Sequence, residues 1–252
     1  MILCMRHIAQ ASFIPLVLGL FPLLASAQGV SVTKQPVQVQ HKTFDPKNPP
    51  KEMPPLRRDE AALTSSVFGL AISLSYRPSD EQRNANTVAS MIRIESIQIR
   101  TTLTITVWLP PNAPAALTAH EEAHRQIGED CYKDADAIAR RVAGQFVNQS
   151  FTGEGVSTTA ARKSATEKVT SAITAAYMKE TRTPASGIDE LFDQITDHGR
   201  KRIAVDKAMQ EAKEKYREAT REKQERRDGA AFTEPYKGGI PAVFAPAWVR
   251  DS

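Results

Sequence analysis

The stretch Thr101-Thr-Leu-Thr-Ile-Thr-Val-Trp-Leu109, closed by Pro110-Pro111 and followed by Ala119-His-Glu-Glu-Ala-His124, decides how the rest of the chain reads. Leu103, Ile105, Val107 and Leu109 alternate with Thr102, Thr104, Thr106 and Trp108, the period-two pattern of a half-buried strand. Pro110-Pro111 stops it, because proline cannot donate to a ladder. From Ala113 the pattern turns helical and runs to about Val147, with Asn112 available as a cap and Pro114 tolerated in the first turn.

Working upstream, Leu70, Ile72, Leu74 and Tyr76 alternate as a second strand. Ile92 and Ile94 start a third alternation that changes phase near Ser96 before Ile97 and Ile99, as a bulge or a turn would make it. Residues 34–58 hold six prolines among Lys, Gln and Arg, so the reading for 28–60 is a Pro-rich extended arm without a core of its own. Downstream, 149–159 reads as a loop and about 160–181 as a helix. Another helix begins near Ile188, and its continuation over 200–228 is dense in Lys, Arg and Glu. Strands followed by helices indicate an α+β domain over 61–228, a small antiparallel sheet succeeded by helices, with an irregular tail at 229–252.

The first 27 residues read as an export signal. Arg6 and His7 precede a 12-residue apolar run from Phe13 to Leu24, and Ala25-Ser26-Ala27 offers a small-x-small cleavage site. Twelve apolar residues fall short of the roughly 20 that span a bilayer, so no transmembrane segment is expected in the mature chain. The expectation is a periplasmic or extracellular bacterial protein. Cleavage there would leave Cys131 as the sole cysteine, which rules out an internal disulfide.

Composition is that of an ordinary globular protein: 252 residues, 25% charged and 41% hydrophobic. Lys and Arg exceed Asp and Glu by only 33 to 29, a formal charge of +4, and aromatics are 6%. Neither a basic footprint nor a stacking platform is present, so nucleic acid is not an expected partner.

His120-Glu-Glu-Ala-His124 matches H-E-x-x-H. On a helix, positions i and i+4 lie about 40° apart, so both imidazoles project from one face and can hold one Zn2+. Glu121, about 100° round from His120, can reach a zinc-bound water without being a ligand. Zinc brings the pKa of such a water toward about 7, and Glu121 is then the base. A catalytic zinc needs a third protein ligand. His41 lies in the Pro-rich arm, so His198, in Asp193-Gln-Ile-Thr-Asp-His198-Gly199, is the leading candidate. Glu190, Asp193 and Asp189 compete with it. Glu129 falls about 140° from His124 and points away; Cys131 reads as a small buried hydrophobe.

Thr106-Val-Trp-Leu-Pro110, Leu117-Thr-Ala-His-Glu-Glu-Ala-His-Arg-Gln-Ile127 and Thr196-Asp-His-Gly199 together resemble a family of bacterial predicted secreted zinc-dependent proteases. The resemblance spans about residues 65–220. It implies a zincin-like metallopeptidase with His120, His124 and His198 as zinc ligands and Glu121 as base. The expected function is hydrolysis of peptide bonds in a protein or peptide substrate. Tyr177, Tyr132 or Arg125 would be available to stabilise the oxyanion, and strand 102–109, if it were a sheet edge, could pair with the substrate. The competing reading is a non-catalytic periplasmic or cell-surface interaction protein with a structural or vestigial metal site.

Overall fold

The computed structural model of the chain describes residues 29–57 and 60–233. The export signal expected at 1–27 lies outside the described residues, as does the tail expected at 229–252 beyond Thr233. The element order is β1 (Val30–Lys34), β2 (Gln38–Thr43), β3 (Leu63–Arg83), β4 (Val88–Leu109), α1 (Ala115–Tyr132), α2 (Ala135–Gly144), β5 (Ser150–Gly155), α3 (Thr158–Glu180), α4 (Arg182–Thr196) and α5 (Val205–Thr233).

β4 is the spine of the sheet. One of its edges pairs antiparallel with β3 from Leu63↔Trp108 to Arg83↔Val88. Along the other lie β5, β1 and β2 end to end, against residues 88–93, 97–101 and 104–109 of β4. β5 runs antiparallel to β4, but β1 and β2 run parallel to it. The α+β class therefore holds, while the wholly antiparallel sheet expected from the sequence is corrected to a mixed five-stranded one.

The phase change near Ser96 is a bulge. Ser75 pairs with Ser96 but Tyr76 pairs with Ile94, leaving Glu95 as the extra residue. An added residue shifts side-chain parity by one. As a result Ile92 and Ile94 share a face with Ile97, Ile99, Leu103, Ile105 and Val107, all buried. That face packs on α1, α2 and α3 through Tyr132, Ala139, Val142, Val169, Ile173 and Tyr177.

Three local expectations are revised. The Pro-rich stretch is extended, as its composition demands, yet it is not a detached arm. β1 and β2 are laid on β4 on either side of a Gln35-Pro36-Val37 interruption, and Phe44 and Met53 pack on Trp108 across the opposite face of the sheet. Residues 150–155, read as loop, form β5, because Gly153 and Gly155 let this strand lie against the backbone of α3. The helix expected over 113–147 breaks between α1 and α2, with Asn112 left-handed in the preceding turn instead of capping.

Strand 102–109 is central, paired with β2 on one side and β3 on the other. It therefore offers no edge to a substrate. Among the described residues β1, β2, β3 and β5 each pair with β4 alone, and the first residues of β3 run beside the helix motif, where Thr64 meets Glu121.

Helix α5 buries only a narrow stripe, Ala208, Met209 and Ala212, against Ile127 of α1 and Phe192 of α4. Val205 and Tyr216 pack partly beside that stripe, while most of the other described side chains up to Arg226, charged as the sequence suggests, face solvent. No helix among the described residues is long and apolar enough to cross a membrane.

The β5–α3 contact makes a direct test of this packing. A Cβ at Gly153 would lie 2.1 Å from the Ala161 carbonyl oxygen and 2.3 Å from the Ala165 nitrogen. Gly153→Ala should therefore destabilise the protein by about 1–3 kcal/mol, the usual cost of overpacking. Denaturant unfolding measures it, and an unchanged midpoint would mean that β5 does not sit on α3 as described.

Candidate metal centre

Helix α1 carries the motif on the side turned towards α4, and both helices are amphipathic. Ile127 of α1 and Phe192 of α4 are fully buried together with Ala208, Met209 and Ala212 of α5. Gly128 lets α1 approach the sheet, since a Cβ there would lie 2.8 Å from Ser66 Oγ. This docking sets His120 and His124 of α1 opposite Asp189 and Asp193 of α4, one i,i+4 pair facing another. Phe192 sits between them, stacked on the His120 ring at 4.9 Å and edge-on to His124 at 5.1 Å.

Three ligand atoms converge. His120 Nε2 and His124 Nε2 are 3.3 Å apart, and Asp193 Oδ1 lies 3.2 Å from the first and 3.1 Å from the second. Tetrahedral coordination with bonds of about 2.1 Å places its ligand atoms about 3.4 Å apart. The triangle thus fits one face of a zinc tetrahedron with little adjustment, and its two imidazoles and one carboxylate are a zinc-type donor set. The opposite ring nitrogen, His124 Nδ1, is 2.8 Å from Asp189 Oδ1. A proton held there leaves Nε2 with its lone pair facing the centre, the usual arrangement of a carboxylate behind a ligating histidine.

His198, the leading third-ligand candidate, takes a different place. Its Nδ1 lies 3.7 Å from Asp193 Oδ1, and it groups with Asp193 and Glu60 rather than with the His120–His124–Asp193 triangle. The reason is the end of α4. Asp197, His198 and Gly199 are all left-handed, with φ of 52°, 52° and 77°. The chain therefore turns back at this point instead of continuing as helix, and α5 starts separately at Val205. Gly199 serves a second purpose: a Cβ on it would meet His120 Cγ at 3.2 Å. Asp189 and Asp193, weighed only as competitors for a ligand position, turn out to be the groups that contact the motif histidines.

Glu121 is 4% exposed. The Thr64 hydroxyl of β3 is 2.8 Å from its Oε2 and 3.0 Å from its main-chain oxygen. Burial raises the Glu121 pKa above the ordinary carboxylate value, with nearby His124 and the Thr64 hydrogen bond opposing part of that rise. Burial likewise works against charge on His124 and Asp193. There, however, hydrogen bonds win: those to Asp189 and Asp193 push His124 up to about 10, and those to His120 and His124 hold Asp193 well below the usual range. Thr64 and Glu60 were missed from sequence. A lone Thr in a strand and a Glu after a Pro-rich segment carry no periodic or motif signal.

These groups line a cleft of about 430 Å³, together with Arg57, Leu117 and the start of β3. That volume lies within the range of small-molecule and peptide-side-chain sites, about 300–1,000 Å³. The three residues considered for an oxyanion are elsewhere. Arg125 is held by Glu122 and Glu129, Tyr132 bonds Thr101 and the Gln35 carbonyl, and Tyr177 is buried in the sheet–helix core. His41, set aside as a ligand, bonds Glu122 at 2.6 Å, and Glu129 does turn away from the centre.

No protein-family model, no curated protein and no solved structure matches the chain. The chemistry of the site is therefore argued from its own geometry.

Asp189→Asn should weaken Zn2+ binding by about 10- to 100-fold while leaving the fold intact, the range typical for loss of a carboxylate behind a ligating histidine. Competition with a chromophoric chelator measures it; wild-type affinity would remove Asp189 from the site. Cys131 supplies a second test. Burial, reinforced by Asp189 and Asp130, pushes its thiol up to about 11. Since the thiolate is the reactive form, alkylation of Cys131 at pH 8 should run about two orders of magnitude slower in the folded than in the unfolded chain. The rate should climb with pH until about 11, and peptide mapping of the labelled product reads it out.

Proposed function

We propose that this protein is a secreted zinc-dependent metallopeptidase, with His120, His124 and Asp193 holding the ion and Glu121 acting as general base. The observation that carries the reading is the 3.1–3.3 Å convergence of two imidazole nitrogens and a carboxylate oxygen, with a buried Glu adjacent in sequence and lining the same cleft. A zinc ion bound there would supply Lewis acidity, polarising a peptide carbonyl and acidifying water. Glu121 takes the proton of the attacking water and returns it to the leaving amine. Thr64 holds the carboxylate in place from the sheet side. Asp189 fixes His124, and Phe192 keeps both rings aligned.

A purely structural metal site makes no use of Glu121. That residue separates the peptidase from the competing interaction-protein reading, in which charged α5 would be the partner surface. A solvated charged helix is common without any partner, so it favours neither. The export signal read at residues 1–27 and the resemblance to predicted secreted zinc-dependent proteases point to the same function outside the cytoplasm.

Glu121→Gln should retain bound Zn2+ and lose hydrolysis of an unfolded protein substrate by about 100-fold or more, the scale of general-base catalysis. Proteolysis assays paired with elemental analysis test both halves. Undiminished hydrolysis in Glu121→Gln, or in wild type stripped of metal, would sink the proposal.

A further inference from the structure

We propose that the cleft holds a second divalent cation, bound by Glu60 and His198 and bridged to the first through Asp193. This rests on the metal centre of the preceding reading but not on peptide hydrolysis. Ligand atoms of Glu60, Asp193 and His198 all lie within 4.8 Å of one another, and this group shares only Asp193 with the His120–His124–Asp193 triangle. The 3.7 Å separation of His198 Nδ1 from Asp193 Oδ1 is close to the roughly 3.4 Å edge of a tetrahedral site. A carboxylate has two oxygens, and one shared between two ions holds them about 3.5–4 Å apart, the spacing of two-metal hydrolytic sites.

Two independent observations call for a cation at this position. The first is an unpartnered ring nitrogen: His198 Nδ1 is buried and has no hydrogen-bond partner, although a buried ring nitrogen normally has one, and unprotonated it offers a lone pair to an ion. The second is charge. Glu60, Glu121, Asp189, Glu190 and Asp193 line the cleft, with Arg57 as the one Lys or Arg among its described lining residues. These five carboxylates share the cleft with one guanidinium and the imidazoles of His120, His124 and His198, so its lining is rich in groups that bind a divalent cation. Glu60 is the acute case. Its side chain is only 14% exposed, and its ion-pair partner Arg57 lies 3.7 Å away with 72% of its side chain in solvent. The Arg57 backbone N–H, at 2.7 Å, holds one Glu60 oxygen in place, orienting the carboxylate without neutralising it.

The arrangement also explains why the segment between β2 and β3 is strapped to the domain through Phe44, Met53 and Trp108. That anchoring carries Glu60 to the rim of the cleft, so the Pro-rich region contributes a ligand.

The test is Zn2+ stoichiometry on the metal-free full chain, by equilibrium dialysis with elemental analysis, for wild type, Glu60→Gln, His198→Gln and Asp193→Asn. The proposal expects two equivalents in wild type and one in Glu60→Gln and in His198→Gln. The equivalent that remains should keep its wild-type affinity within a few fold, and Asp193→Asn should weaken both. Co2+ loading gives a second readout: a carboxylate-bridged pair shows a spin-coupled electron paramagnetic resonance spectrum in wild type that reverts to an isolated-ion spectrum in Glu60→Gln. One equivalent in wild type overturns the second site. Loss of the tight equivalent in Glu60→Gln or His198→Gln also overturns it, since both residues would then serve a single ion. Two equivalents in wild type that persist in Glu60→Gln would be adventitious binding, and overturn it too. Each of these results leaves the Glu121-dependent peptidase standing, whereas failure of the peptidase test leaves the ion count unaffected.

Discussion

Everything around the cleft depends on burying two imidazoles and two carboxylates against each other where α1 meets α4. A lone charge in that position would be costly to desolvate, and a lone neutral polar group would lose its water without replacement. Paired, the groups satisfy one another: Asp193 reaches both Nε2 atoms and Asp189 takes His124 Nδ1. Apolar packing brings the helices close enough, with Phe192 packed against both rings. The polar quartet then selects the register, because sliding either helix by one residue would rotate its pair about 100° away from the other. The shifts on His124 and Asp193 belong to this pair as a unit. Against burial, Asp189 and Asp193 hold His124 in its charged form, and His120 and His124 hold Asp193 in its own; a bound cation would take the place of the proton on that face.

The sheet supplies the fixed side of the site. β4 pairs along nearly all of its length on both edges, and its Ile-rich face forms the floor under α1, α2 and α3. Such a strand does not move easily, so α1, which follows it after a short proline turn, starts from a fixed point. Thr64 of the neighbouring β3 ties the Glu121 carboxylate to that same frame. Glu121 is therefore placed by the sheet, and the convergent His120, His124 and Asp193 by the helix pair, a division that would suit a group exchanging protons beside an ion without binding it.

Strain is concentrated at the end of α4. Two consecutive non-glycine residues in the left-handed region, Asp197 and His198, cost roughly 1–2 kcal/mol each. Hydrogen bonds from His198 N to the Asp193 carbonyl and from Lys201 N to the Thr196 carbonyl offset part of that cost. The turn brings His198 back alongside Asp193 and brings Gly199 onto the His120 ring. A simple helical continuation would have carried both residues away from the cleft.

Local pattern alone was enough to place the period-two strands, the phase change that proved to be the Glu95 bulge, the helix bearing His120, Glu121 and His124, and the α+β class, since each is a property of neighbouring residues. It also confined the third ligand to His198 or an acid between 189 and 193. The meeting of Asp193 with both motif histidines, the Thr64 contact, the arrival of Glu60 and the mixed direction of the sheet depend on residues tens of positions apart. Parallel pairing of β1 and β2 leaves no mark on their own sequences, because alternation is the same in either direction. Likewise, whether 102–109 is an edge or a centre depends on what lies beside it. Spacing along a helix determines which groups share a face, but only the docking of one helix on another determines which face they meet, because the apolar contacts of Ile127, Phe192 and Met209 that bring the helices together join residues far apart in the chain.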